Sequence, residues 1–508
     1  MNRSRIGLRG RDLIVLGLVS GLAVLATTRH GVGIDADSVA YVDIARHLRA
    51  GDGFALSPGL TTAADPYKLR ATAHFPPLYP VVLAFGEAAG LDAWTVARWL
   101  GAALAALSAV LLGVVVRDAG ASRVQELAVC GLTVTAVDWL RIHTWALSEP
   151  VFLACLVAAV GALARQLRTP SPCWLGLAAG ATAGAALTRY TGLALIGTGV
   201  IALLTWTPRP WRERGRDVAV FLAVAGLPLA AWHARGVLVG APGRPVVVHP
   251  LTLDRLRQGL DSISAWLLPE TLPLMVRAVV LGVVVIGLGI LWRRVPSVPP
   301  ARALTRVVAT FGACYAALLL VTISIIYANV PLDARLLVPL LVAAMLVGWR
   351  VATASGRGRR ALIVACSALA AIATVRAVVW VTVAEVEDLG YASRVWRQSV
   401  LVAAVRDVPA DVVIVSNAPD ALYVRTGRRA WLLPARVDPF TRAARAEYPS
   451  AVAALDAAMA PHGGALVYFR WLHWRWYLAS ERDLVTAWSM KALVEARGEG
   501  AFYVRGPH

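Results

Sequence analysis

Apolar residues in this chain fall in long runs separated by short polar connections. Eleven stretches approach or reach the roughly 20 residues that a helix needs to cross a hydrocarbon core of about 30 Å. They are 12–28, 93–116, 124–141, 145–165, 173–188, 191–206, 217–239, 273–292, 304–327, 335–350 and 361–384. Helices satisfy their own backbone in lipid, so the pattern predicts a polytopic α-helical membrane domain over 1–384 with about 11 transmembrane helices. The runs 173–188 and 191–206, parted by Arg189-Tyr190, are short and read either as two spans or as one kinked span. The first run has basic flanks and no small-residue cleavage site, which reads as an anchor and not a signal peptide.

The connections carry their own periodicity. In the loop 29–92, Ala40, Ile44, Ala45 and Leu48 fall at helical spacing opposite Asp43, Arg46 and Arg49, which predicts an amphipathic helix over Val42–Ala50 lying at the membrane interface and ending at Gly51-Asp52-Gly53. A second interfacial helix is expected to begin at Pro76-Pro77. Beyond 384 the character changes. Asp411–Ser416, Ala430–Leu433 and Ala465–Phe469 read as short buried strands and Ser450–Ala460 as a helix, so 385–508 is expected to be a small α/β domain. The stretch Tyr468–Tyr477, dense in aromatic and basic residues, reads either as a belt on lipid headgroups or as a platform stacking on a sugar.

Composition agrees with the runs: 58% of the 508 residues are hydrophobic and 16% charged, with a mean hydropathy of +0.63. The net charge of +19 would suit nucleic acid, but its distribution excludes that partner. Arg3/Arg5/Arg9/Arg11, Arg117/Arg123, Arg165/Arg168, Arg209/Arg212/Arg214/Arg216, Arg293/Arg294/Arg302/Arg306 and Arg350/Arg357/Arg359/Arg360 fall at alternate segment ends. Threading eleven spans puts them all on one face, as the positive-inside rule demands. The expectation is a multi-pass protein of the cell membrane, in contact with anionic lipid, with a cytoplasmic N-terminus and an extracytoplasmic tail. Cys130, Cys155, Cys173, Cys314 and Cys366 lie in or beside spans and read as small apolar packing residues.

A few charged residues do not fit this topology, and they are the candidates for chemistry. Asp35 and Asp37, in Gly-Ile-Asp35-Ala-Asp37-Ser38, form an Asp-x-Asp pair at the bilayer edge. Asp37 reads as a general base, the pair as ligands sharing a divalent cation such as Mg or Mn, or Asp37 or Ser38 as a helix cap. Glu149, in Leu147-Ser148-Glu149-Pro150, is a carboxylate close to hydrocarbon, serving a cavity, a metal or a capping box. Arg335 begins a span on the external side, where topology disfavours arginine; it asks for an anionic partner, either Asp333 or a bound phosphate. Arg189 raises the same question. Asp138 and His143 read as ordinary span-end polar residues, and Arg277 and Arg376 as cations that snorkel or face the bundle interior.

Taken in order, Asp37-Ser38-x-x-Tyr41-x-x-x-Ala45-x-x-Leu48-x-x-Gly51, His74-Phe75-Pro76-Pro77-Leu78-Tyr79-Pro80, Leu147-Ser148-Glu149-Pro150, Leu187-Thr188-Arg189-Tyr190 and Asp333-x-Arg335-Leu336-Leu337-x-Pro339 resemble the motifs of the GT-C superfamily of polyprenyl-phosphate-sugar-dependent glycosyltransferases. Within it the chain is most similar to the family 39-like group that holds the protein O-mannosyltransferases and the lipid A aminoarabinose transferases. The resemblance covers about 1–384. It implies inverting transfer of one sugar from a polyprenyl-phosphate donor to a glycan, lipid or protein acceptor on the external face. Carried over, Asp37 is the first-loop acid acting as base or orienting group, and Glu149 a second acid and potential metal ligand. Arg335, with Arg189, contacts the donor phosphate, and His74, Tyr79 and Tyr41 line the cavity under the first loop. Arg335-Leu336 and His74-Phe75 depart from the Arg-Tyr and Lys-containing motifs of many relatives. A transporter or flippase of lipid-linked sugars is the competing expectation, but it would show inverted repeats and ionisable residues at midplane. A non-catalytic membrane scaffold is a third; it would make the acids dispensable.

Overall fold

Long apolar runs have one stable solution in hydrocarbon, and the chain adopts it. The computed structural model describes residues 3–57, 69–241, 247–296, 298–326, 330–353 and 359–506, with side chains described for all of these except 3–9, 326, 359–363 and 366. Residues 58–68 of the first loop, Asn329, Arg357 and the side chains of Arg3, Arg5, Arg9, Arg359, Arg360 and Cys366 therefore lie outside the described residues. In chain order the helices of the membrane half are α1 (Arg3–Thr27), α2 (Ala36–Ala50), α3 (Leu78–Ala88), α4 (Ala93–Asp118), α5 (Arg123–Val134), α6 (Val137–His143), α7 (Glu149–Arg168) and α8 (Pro172–Thr188). They continue as α9 (Leu193–Trp206), α10 (Trp211–Ala225), α11 (Leu227–Leu238), α12 (Leu253–Ser264), α13 (Leu274–Trp292), α14 (Pro299–Val321), α15 (Ala334–Gly348) and α16 (Arg359–Glu387).

Among the described residues seven helices are long and apolar enough to cross a membrane, or eight if α10 and α11, bent by 44°, make one span. The count of eleven is not confirmed among the described residues. The run 124–141 breaks after Val134 into α5 and α6, and the runs either side of Arg189 form α8 and α9, of 17 and 14 residues. Arg189 itself is extended (φ −146°, ψ 137°), so the two arms are separate helices.

The first loop departs from expectation in an informative way. Its helix starts at Ala36 and is capped by Asp35, which accepts from the Ser38 N–H at 2.8 Å while the Ser38 hydroxyl accepts from the Asp35 N–H at 3.2 Å. Neither Asp37 nor Ser38 is the cap; the box spacing of Asp35 and Ser38 wins. Asp43, expected on the solvent side, is buried and accepts from the Ser57 backbone at 2.6 Å and hydroxyl at 2.7 Å. Asp43 thereby pins the end of β1 (Ala55–Leu56), which pairs with β2 (Arg70–Ala71) in a two-stranded ribbon. The double proline starts α3 as expected.

Past α16 come α17 (Arg394–Arg397), α18 (Val400–Arg406), β3 (Val413–Ser416), α19 (Pro419–Thr426), β4 (Trp431–Leu432), α20 (Tyr448–Met459), β5 (Gly464–Phe469), α21 (Glu481–Ala487), β6 (Lys491–Ala496) and β7 (Gly500–Arg505). The sheet order is β4-β3-β5-β7-β6, parallel across β4, β3 and β5 and antiparallel at β7 and β6. One face of this sheet shares its core with the first loop: Val39, Val42, Tyr79 and Leu83 join one apolar cluster with Leu422, Val467 and Phe502. Helix α2 is therefore roofed by the C-terminal domain and does not lie open on the interface.

A short ladder stitches three distant segments together. The Gly33 N–H donates to the Thr144 carbonyl at 2.8 Å, and the Gly33 carbonyl accepts from Ala146 at 2.9 Å. On the other side Ile34 donates to the Leu389 carbonyl at 3.4 Å and accepts from the Tyr391 N–H at 2.7 Å. This close approach requires glycine twice: a Cβ on Gly33 would meet the Trp145 ring at 2.8 Å, and one on Gly390, whose φ is +59°, would meet the Ile34 carbonyl oxygen at 2.1 Å. Gly390→Ala is accordingly expected to cost about 1–3 kcal/mol from the left-handed backbone alone, with the clash added. Thermal unfolding of the full-length protein in detergent measures it, and an unchanged midpoint would refute the role given to this ladder.

Candidate active site

The ladder delivers two acids to one place, because Asp35 follows Ile34 directly and Ser148-Glu149 lies two residues past Ala146. Three helix N-termini converge there. Asp37 is in the first turn of α2, Glu149 opens α7 and Arg335 lies in the first turn of α15. The partial positive charge of helix starts favours carboxylates at the first two. Arg189 enters from the extended break between α8 and α9.

Arg335 is the hub. Its Nε donates to Glu149 Oε1 at 2.7 Å, Nη1 to Asp35 Oδ2 at 3.2 Å and Nη2 to Asp37 Oδ2 at 2.9 Å. Arg189 Nη1 reaches the same Glu149 oxygen at 2.5 Å. Asp333, the alternative partner considered for Arg335, instead caps α15 by accepting from the Leu336 N–H at 3.3 Å. Ser148 makes no capping bond; its hydroxyl pairs with the Tyr41 hydroxyl at 3.1 Å, so Glu149 belongs to no capping box. The acids differ in access: the Glu149 side chain is 3% exposed and that of Asp37 39%. Glu149 is shut between two guanidiniums, while Asp37 is open to solvent.

Asp35 is no plain solvated acid. Burial, reinforced by the charge of Asp37, raises its carboxyl to about 6 against the pull of Arg335 and the Ser38 hydrogen bonds. Tyr41 and Tyr79 pack edge-on with ring centres 5.0 Å apart, and Phe75 lies 4.7 Å from Tyr41. Both tyrosine hydroxyls are held well above their ordinary range, first by burial. The His74 ring stands 4.7 Å from Phe75.

Among the residues around the segment 72–75, Trp232 and Arg235 belong to no motif in the sequence. Tyr190 donates to the Ala73 carbonyl at 2.5 Å, Trp232 Nε1 donates to the Tyr190 hydroxyl at 3.1 Å, and Arg235 donates to the Thr72 carbonyl at 3.0 Å while lying 4.9 Å over the Trp232 ring. Arg235 is a cation at the end of its helix remote from the Arg209–Arg216 cluster, the same signal that picked out Arg335. His143 Nδ1 donates to the Trp139 carbonyl within its own helix, and Arg277 and Arg376 face the bundle interior, on Asp261 and on the Ala265 carbonyl at 2.8 Å.

A divalent cation does not fit the acids as they stand. Asp35, Asp37 and Glu149 converge on a guanidinium that fills the space between them, and among the described residues no group of three His, Cys, Asp or Glu side chains is arranged to hold a metal ion. The raised carboxyl of Asp35 has a testable consequence. A folded-state value near 6 above an ordinary 3.8 means that the fold favours protonated Asp35. Stability from this group is present below about pH 4 and lost as pH rises through 6. Asp35→Asn keeps a good cap and is expected to gain on the wild type by on the order of 2 kcal/mol at pH 8 and little at pH 4, read from paired unfolding curves. An advantage independent of pH would contradict this assignment.

No protein-family model matches the sequence, and no curated protein matches it. Among solved structures the chain is similar to ArnT from Cupriavidus metallidurans in two states. Against the form bound to undecaprenyl phosphate the TM-score is 0.54 at 14% identity over 100% of both chains. Against the apo form it is 0.55 at 14% identity over 99% of both. The likeness runs through the C-terminal domain, which the sequence motifs do not reach. In fold, this chain is similar to ArnT from end to end.

Proposed function

We propose that this protein is an integral membrane glycosyltransferase that moves one sugar from a polyprenyl-phosphate-linked donor to an acceptor hydroxyl on a cell-envelope glycan, lipid or protein. The observation that carries the reading is the convergence of Asp35 and Asp37 from the first loop and Glu149 from the start of α7 on Arg335 at the start of α15. The ArnT of the same fold is seen with undecaprenyl phosphate. External action is supported by polarity along single helices: α7 has Glu149 at its start and Arg165 and Arg168 at its end, and α15 starts at Arg335 and leads on to Arg350. Nineteen residues of helix separate Glu149 from Arg168, about 28 Å at 1.5 Å per residue. With the basic ends inside, the acids face outside.

In the proposed reaction Asp37 takes the proton of the acceptor hydroxyl as its oxygen bonds to the anomeric carbon. The bond from that carbon to the phosphate oxygen breaks on the opposite face, which inverts the configuration, and polyprenyl phosphate leaves with the electron pair. Arg335 and Arg189 meet the charge that develops on the phosphate. Glu149, buried between them, sets their spacing. Arg335 cannot serve phosphate and Asp37 fully at once, so donor binding draws it from Asp37 and frees that carboxylate as a base.

Asp37→Asn should lower transfer by at least about 10²-fold with its unfolding curve retained; normal turnover would remove Asp37 from this role. Donor movement across a vesicle bilayer with no new glycosidic bond would instead support a transporter. Chelation is the second test. With a guanidinium where a shared cation would sit, transfer should survive excess EDTA within about twofold, and a loss restored by Mg or Mn would reinstate the metal.

A further inference from the structure

The ladder that carries Asp35 into the site has its third rung outside the membrane half. Tyr391, in the segment joining α16 to the C-terminal domain, donates its backbone N–H to the Ile34 carbonyl at 2.7 Å, one residue before Asp35. Its side chain turns the other way. The Tyr391 hydroxyl donates to Asp420 Oδ2 at 2.7 Å, and Asp420 receives both Nη atoms of Arg475 at 2.9 Å each. Arg475 also donates to the Asn417 carbonyl at 2.7 Å, and the Asn417 amide exchanges two bonds of 2.9 Å with the backbone of Phe469 in β5. Tyr391, Asp420 and Arg475 are all buried.

A buried ion pair is a poor source of stability, because its desolvation offsets much of its attraction. What a hydrogen-bonded network supplies is a fixed place, here with Arg475 Nε as its one buried atom lacking a partner. This one runs from the central strand β5 through Asn417, Arg475, Asp420 and Tyr391 to the residue preceding Asp35. Apolar packing braces it: Trp396 lies edge-on to Tyr391 at 5.3 Å and against Phe469 at 4.8 Å. Helix α2 is gripped from the same side, with Arg46 donating to the Tyr423 hydroxyl at 3.3 Å and Val39 and Val42 packed in one cluster with Ala421 and Leu422 of α19 and Ala418 just before it.

We propose that Tyr391, Asp420 and Arg475 are positioning residues through which the C-terminal domain holds Asp35 and Asp37 against Arg335. The domain then acts on the site mechanically, whatever acceptor it meets. The kinetic consequence rests on the transferase reading above; the structural one does not.

The test uses the full-length protein in lipid nanodiscs. Tyr391→Phe removes one hydroxyl and leaves the Asp420–Arg475 pair intact; Asp420→Asn is the stronger second variant. Amide hydrogen exchange is expected to accelerate at Gly33, Ser38 and Ala146 in Tyr391→Phe while the core of α14 is unchanged. In transfer assays kcat should fall about 10-fold or more with donor KM within about twofold, and the loss should vanish when Asp37 is already Asn, since the network acts through that acid. A merely destabilising change would give the same loss in both backgrounds, and that result overturns the proposal, as does wild-type exchange and kcat in both variants. Accelerated exchange in a protein that transfers no sugar would sustain the positioning role and refute the transferase reading.

Discussion

A guanidinium at the edge of hydrocarbon must be paired, and Arg335 is paired three times over. Uncompensated charge there costs several kcal/mol, so the chain segments that supply Asp35, Asp37 and Glu149 are constrained to meet at the start of α15. Much of the architecture serves that meeting. The extended break at Arg189 lets a second guanidinium reach Glu149, and a helix running straight from α8 into α9 would carry that side chain elsewhere. The left-handed Gly390 allows three backbones to lie side by side, which sets Asp35 and Glu149 in a common frame.

The division of labour among the acids follows from burial. Glu149, enclosed and shared by two cations, cannot easily exchange its partners, and its removal would leave both guanidiniums short of charge. Asp37, linked to Arg335 through one oxygen and open to solvent, can exchange its partner. The same electrostatic cluster therefore contains an enclosed acid and one open to solvent.

Glu149, Arg189 and Arg335 were legible in the sequence because each is a charge set against its surroundings: an acid beside a span, and cations on the side that topology leaves poor in them. Asp35 was legible only as half of an Asp-x-Asp pair, with the cap assigned to Asp37 or Ser38; Asp35 is itself the cap, and that its second oxygen binds Arg335, 300 residues away, is a tertiary fact with no local signature. The burial of Asp43 was hidden likewise, since the amphipathic pattern shows a polar face but not the Ser57 that covers it. In the C-terminal domain the strands β3 and β5 announced themselves as continuous apolar runs because both faces are covered. Edge strand β6, with exposed Lys491 and Glu495, has no such run. The run 124–141 read as one span but forms α5 and α6, because hydropathy continues across a break that only the backbone reveals.

On the proposed reading, the electrostatics of the cluster also explain why a cap residue should sit inside an active site. Three carboxylates around two guanidiniums carry surplus negative charge, which opposes the arrival of a phosphate. Asp35, already near 6, is the group best placed to remove it. A phosphate approaching Arg335 is a further negative neighbour and raises the proton affinity of Asp35 again. The carboxyl then takes up a proton and loosens its bond to Nη1, and that guanidinium nitrogen becomes available to the donor. Its cap bonds to Ser38 engage the other oxygen, so the helix that carries Asp37 stays in place while the charge changes. One acidic residue thereby fixes the geometry of its neighbour and buffers the charge of the site, through two different oxygens.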